Sequence, residues 1–80
     1  MLIDPDRTGC TVWFNNMVCH INGNPDECVY KIVDFFNKKR VNLTEKCVLS
    51  LDVTGIGRAY AYLFDAMDIK YLEIKGYKFI

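Results

Sequence analysis

Two aspartates are placed to do chemistry: Asp4, directly before Pro5, and Asp52, directly before Val53-Thr54-Gly55-Ile56-Gly57-Arg58. Paired carboxylates are the oxygen ligands that hard cations such as Mg2+ or Mn2+ take, and ions held this way activate water and stabilise the leaving oxygen of a phosphodiester. Asp6, just beyond Pro5, is a further acid that a metal site can draw on. A structural reading stands beside this one: Asp4 caps an Asp-Pro turn, and Asp52 accepts hydrogen bonds from the Gly55 to Gly57 loop. The segment Thr54, Gly55, Gly57 and Arg58 also reads two ways. Backbone N–H groups at a helix start form an anion site, with Arg58 gripping a phosphate, or the two glycines simply allow a tight strand-to-helix turn. It is not a Walker A loop, because no Gly-Lys-Ser/Thr follows.

Asp4 and Asp52 form one site only if the elements that carry them lie side by side. Leu2 and Ile3 make a very short strand, stopped by the turn formers Asp4-Pro5-Asp6-Arg7-Thr8-Gly9. Cys10, Val12 and Phe14 alternate on one face of a second strand, and Asn15-Asn16 turns it into a third, Met17 to Ile21. Asn24, Pro25 and Glu27 then form a helix start signal, and Cys28, Val29, Ile32, Val33, Phe35 and Phe36 recur at helical spacing, so a helix is expected over residues 25–38. Lys38-Lys39-Arg40 matches the negative end of its macrodipole and reads as solvated charge before it reads as a nucleic-acid contact.

Cys47 to Val53 is mostly apolar without clean alternation, the pattern of a central parallel strand covered on both faces. A second helix over Arg58 to Met67 and a last strand over Ile69 to Lys75 complete the order strand, strand, strand, helix, strand, helix, strand. A hairpin meander followed by two right-handed crossovers predicts one α/β domain over residues 1–80, with a mixed sheet whose first and fourth strands are parallel neighbours. Asp4 and Asp52 would then share the crevice at the carboxyl edge, where open α/β sheets bind ligands.

With these elements assigned, a family resemblance becomes visible. Leu51-Asp52-Val53-Thr54-Gly55-Ile56-Gly57-Arg58-Ala59, followed by a helix ending in Asp68-Ile69, resembles the D-x-T-G-x-G-x segment of the nuclease domain in large terminase subunits of tailed phages. Ile3-Asp4-Pro5-Asp6-Arg7-Thr8-Gly9 resembles the D-P-x-x-x-G opening of that domain, shared with other RNase H-like nucleases such as Holliday-junction resolvases. The resemblance spans nearly the whole chain. It implies an RNase H-like fold, metal-dependent cleavage of duplex DNA during genome packaging, and Asp4 and Asp52 as the first two metal-binding acids. The family's third acid lies beyond the fifth strand, and this chain ends at Ile80 without that element and without the packaging ATPase. A two-acid site binds metal weakly, borrows a ligand from a second chain, or has lost catalysis; all three stay open.

Composition narrows the rest. The chain has 80 residues, 51% hydrophobic, with ten basic and ten acidic residues in balance, so it folds as one domain and has no overall attraction for a polyanion. No apolar run reaches membrane-span length and Met1-Leu2-Ile3 meets Asp4 at once, so a cytoplasmic protein is expected, in the host cell if phage-encoded. Cys10, Cys19, Cys28 and Cys47 lack any C-x-x-C pair and read as reduced structural thiols, all but Cys28 within strands. Asn42-Leu43-Thr44 matches a glycosylation sequon that has no meaning without secretion. His20, the one histidine, reads as a satisfied strand residue.

Large rings are numerous for so small a core. Tyr60 and Phe64, four apart on a helix, and Tyr77 and Phe79 in the apolar tail are candidates for an exposed patch. This supports a rival reading, a non-catalytic phage-type interaction protein that binds or inhibits a host or phage protein, with self-association as a third. The tail folding back over the sheet is the plain alternative.

Overall fold

Alternating apolar residues and two asparagines build the hairpin as expected. Gly9–Phe14 (β2) and Met17–Asn22 (β3) pair in antiparallel register from Phe14 beside Met17 to Gly9 beside Asn22. Asn15 and Asn16 close the turn at φ +49° and +63°, the left-handed conformation that a type I′ turn needs and asparagine tolerates. The computed structural model describes residues 1–75, so Tyr77 and Phe79, expected in an exposed patch, lie outside the described residues.

The first strand is longer than its turn formers suggest. Leu2–Asp6 (β1) runs through Asp4 and Pro5, and the turn is confined to Arg7-Thr8. Pairing of β1 with its parallel neighbour covers only Leu2 and Ile3, so Pro5 lies past the part bonded on both sides, where its missing N–H is tolerated. Pro25–Lys38 (α1) begins as expected, with Asn24 and Glu27 completing a reciprocal capping box. The next strand, Leu49–Asp52 (β4), is shorter than its apolar run. The Met1 carbonyl accepts from Ser50 N and its amino group donates to Val48 O, while Cys47 lies outside the sheet and is exposed.

Gly57–Ala66 (α2) and Tyr71–Ile74 (β5) follow. Ile69 was expected in the last strand but serves the helix end instead: its N–H donates to Phe64 O and the Asp68 N–H to Asp65 O, with Asp68 at φ +57°. This is the Schellman arrangement. α1 ends in the same way, with Val41 N–H to Phe36 O and Arg40 at φ +59°.

These elements form an α/β structure with a five-stranded mixed sheet in the order β3-β2-β1-β4-β5, antiparallel between the first three neighbours and parallel from β1 through β4 to β5. Register puts Ile3 opposite both Val12 and Leu51, on the face against which α1 and α2 pack, and against each other. Cys28, Val29, Ile32 and Phe36 of α1 and Tyr60 and Phe64 of α2 fill that core. Phe14, Phe35 and Phe36 meet edge-to-face at 5.2–5.7 Å between ring centroids. β4 is interior as expected but has helices on one side only: Leu49 and Leu51 face them, Ser50 and Asp52 the other way. No described helix covers that second face, and no described helix is long and apolar enough to cross a membrane.

A side chain at φ near +57° costs energy that glycine avoids, so Asp68→Gly is expected to stabilise the fold by about 0.5–1 kcal/mol and Asp68→Ala to destabilise it. Urea unfolding midpoints in the order Gly above Asp above Ala would bear this out.

Candidate functional site

β1 and β4 place the two aspartates together. Leu2 lies beside Ser50 and Ile3 beside Leu51, so the next residue of each parallel strand, Asp4 and Asp52, comes level at the carboxyl end. Alternation puts both on the face away from the helices. Their proximity has an electrostatic signature: the Asp4 carboxyl is held above the usual carboxylate range, first by partial burial, then by the charges of Asp52 and Asp6.

The structural alternative divides between the two. Asp4 caps no turn: it sits within β1 opposite Thr11, and no side-chain hydrogen bond or ion pair to it occurs among the described residues. Asp52, only 9% exposed, does brace a turn. Its Oδ1 accepts from Thr54 N at 2.9 Å and Thr54 Oγ1 at 2.6 Å, so the donors come from Thr54 and not from the Gly55 to Gly57 loop. No hydrogen bond to Oδ2 occurs among the described residues.

Asp6 is braced in the same way as Asp52. Its Oδ1 accepts from Thr8 N and Thr8 Oγ1 at 2.8 and 2.9 Å, and its Oδ2 lies 3.7 Å from His20 Nδ1. These bonds, the backbone N–H of Thr8 foremost, hold its pKa below the ordinary value. Among the described residues no group of three His, Cys, Asp or Glu side chains is placed to hold a metal. His20 is satisfied as expected, with Nε2 3.0 Å from Thr8 Oγ1 and Nδ1 3.3 Å from Thr11 Oγ1. What sequence reasoning missed is that Asp4 pairs with Thr11 and Thr11 with His20, so His20 shares a transverse row with the acids. The two-residue turns Arg7-Thr8 and Asn15-Asn16 fix that register, and they were the available signal.

The glycine loop is structural before it is anything else. A Cβ on Gly57 would lie 1.8 Å from Asp52 O, so the close approach of α2 to β4 requires glycine there. Gly55 takes φ +54° in open space. Gly57, Arg58 and Ala59 N–H already donate to the carbonyls of Thr54, Gly55 and Ile56, which satisfies the first N–H groups of the helix. The anion-cradle reading of this backbone is therefore not met, and the exposed Arg58 side chain is the group left to contact a phosphate. Thr54 and Arg58 line an open groove of about 790 Å³ between α2 and β5, with Tyr62, Asp65, Glu73 and Lys75. Asp4 and Asp52 do not line it; they face the other side of the sheet.

The partner-binding expectation for Tyr60 and Phe64 needs correction. They are 1% and 0% exposed, because the helical face they share is the one that packs on the sheet, and Tyr60 OH donates to Gly9 O at 3.1 Å. Among the described residues, Tyr30 and Tyr62 are the exposed tyrosine rings. The cysteines also divide. Cys10 and Cys28 are buried, the Cys10 thiol pushed up to about 12 by burial and by Cys28, whereas Cys19 and Cys47 are exposed. Lys38 pairs with Asp34 at 3.0 Å and Lys39 lies over the Phe35 ring, so two of the three basic residues at the end of α1 have local partners.

No family model, curated protein or solved structure matches the chain.

Two outcomes are expected. Because the folded pKa of Asp4 is raised, its stabilising protonated form is lost as pH rises through that value. Asp4→Asn in chelator-treated buffer should therefore melt higher than the parent at pH 7, by less than about 1 kcal/mol after solvent screening, and the gap should close below pH 3.8, the ordinary carboxylate value, in a pH series of thermal melts. Gly57→Ala should cost at least about 3 kcal/mol, against about 1 kcal/mol for Gly55→Ala, in parallel urea titrations.

Proposed function

We propose that the chain is an RNase H-like domain resembling the terminase large-subunit nuclease, whose Asp4 and Asp52 hold Mg2+ or Mn2+ for cleavage of DNA phosphodiesters. The observation that carries this reading is the parallel β1–β4 register, which brings the two acids level on the open sheet face. The order of elements along the chain agrees with it. Phage genome packaging in a host cytoplasm is the setting that the resemblance implies.

The donor set suits a hard cation. Two carboxylates lie close enough for one to raise the pKa of the other, and no Lys or Arg pairs with either among the described residues, so a divalent ion would relieve a repulsion already present. When bound, such an ion activates water and stabilises the leaving oxygen. The chain's own residues bind and orient: Thr54 fixes Asp52 through Oδ1, with no hydrogen bond to Oδ2 among the described residues, whereas Arg58, in the first turn of α2, lines the groove on the other side of the sheet and is left to contact a phosphate there. Asp6 Oδ1 is held by Thr8 as Asp52 Oδ1 is by Thr54, and its Oδ2 lies 3.7 Å from His20 Nδ1, so a further ligand comes from Asp6, the substrate or a second chain.

Titration with Mn2+ or Mg2+ should raise the melting temperature of the parent but not of Asp4→Ala or Asp52→Ala. Plasmid nicking in Mn2+ should disappear in Asp52→Asn. Absence of any metal-dependent shift overturns the reading.

The rival reading, a non-catalytic phage-type interaction protein, is favoured by a different observation. Leu72, Ser50, Leu2, Trp13 and Val18 form one transverse row of the open face, so an apolar surface exists even though Tyr60 and Phe64 are not part of it. Retention of a host or phage protein partner by metal-inert variants, lost on Leu72→Asp, would support it.

A further inference from the structure

The two edges of the sheet are protected unequally. β5 is four residues long, contains Glu73, and is flanked by Lys70 and Lys75. β3 is six residues long, contains no Lys, Arg, Asp, Glu or Pro, and pairs with β2 without a bulge. Charges, prolines and bulges are the devices that keep a free edge from pairing with another strand, and β3 has none of them. It also exposes Met17 (68%) and Val18 (61%).

The hydrogen-bond phase of that edge can be read from one bond. Gly23 N donates to Thr8 O at 3.0 Å, which marks Thr8 and Gly23 as a bonded pair extending the β2–β3 ladder. Bonded and non-bonded pairs alternate in an antiparallel ladder, so Cys10 with Ile21, Val12 with Cys19 and Phe14 with Met17 are bonded pairs. The pairs Thr11 with His20 and Trp13 with Val18 are not. The N–H and C=O groups of Val18, His20 and Asn22 therefore point outward along the edge.

We propose that β3 pairs antiparallel with the β3 of a second copy of this chain, joining two sheets into one of ten strands. The argument for a second copy is self-complementarity. An uncharged strand meets its own image without like-charge repulsion, and outward groups must meet outward groups, which permits two central registers. One sets His20 against His20 of the second copy and leaves Met17 beyond the paired strands. The other sets Val18 against His20, Met17 against Ile21 and Cys19 against Cys19, covering the exposed methionine with an apolar neighbour and keeping the imidazoles apart. The second is the register proposed. It is independent of the metal site, since Asp4 and Asp52 lie two and three strands away.

Val18→Pro tests it selectively: proline there removes an outward N–H and leaves the bonded β2–β3 pairs intact. Sedimentation of the full chain under reducing conditions should show dimer increasing with concentration for the parent and only monomer for Val18→Pro. Val18→Lys, which places like charges along the joined edge, should also be monomeric, and far-UV circular dichroism checks that each variant folds. In a Cys47→Ser background, diamide should link two chains through Cys19, the two thiols giving up their hydrogens to the oxidant as one S–S bond forms. Val18→Lys should abolish that link. A parent that stays monomeric at every concentration overturns the proposal, as does a dimer that survives both substitutions. A Val18-dependent dimer that fails to link through Cys19 overturns the register.

Discussion

The whole arrangement depends on a short stretch of parallel pairing between β1 and β4. Only Leu2 with Ser50 and Ile3 with Leu51 are in register, supplemented by the bonds of Met1 to Val48 and Ser50. That seam joins the antiparallel meander β1-β2-β3 to the parallel pair β4-β5, and Ile3 and Leu51, both without solvent exposure, anchor it under the two helices. Parallel pairing requires long crossovers and closes late, so burial of these two side chains has to offset the entropy of bringing distant segments together. A one-residue slip would turn Asp4 or Asp52 into the core, where an unpaired charge is costly.

A single local device recurs around that seam. Asp6-Arg7-Thr8, Asn42-Leu43-Thr44 and Asp52-Val53-Thr54 each fold so that the acid or amide oxygen accepts both the backbone N–H and the hydroxyl of the threonine two residues on. The sequon-like triplet is therefore a turn of the same kind as the one that follows β4. The three differ only in what lies beside them. Asp52 alone has another strand's aspartate level with it, because β4 alone runs beside β1 in the same direction.

Both helices pack on one face of the sheet, and this explains how the apolar side chains are distributed. The rings of Tyr60, Phe64 and Phe36 are buried beneath the helices, while Leu72 and Val18 stay exposed on the opposite face. Parallel strands are usually covered on both sides. Here Asp4, Asp52, Thr11 and His20 occupy the row beside Leu72, Leu2, Trp13 and Val18, with Ile74 at its end, so the apolar surface of the open face is interrupted.

Much of this was legible in the residues themselves: the element order, the Asn15-Asn16 hairpin, the capped α1 from Pro25 to Lys38, and β1 and β4 as parallel neighbours. Those features depend on short-range rules of turn chemistry, capping and hydrophobic period, together with the handedness of crossovers. Tertiary structure alone decided how far each strand extends, since β1 runs through Pro5 and β4 stops short of Cys47 according to where a partner strand is present. It alone decided that Tyr60 and Phe64 turn inward and that the first N–H groups of α2 are already satisfied. A helical stripe specifies which residues share a face, but whether that face meets a sheet or water depends on the packing of elements far apart in the chain.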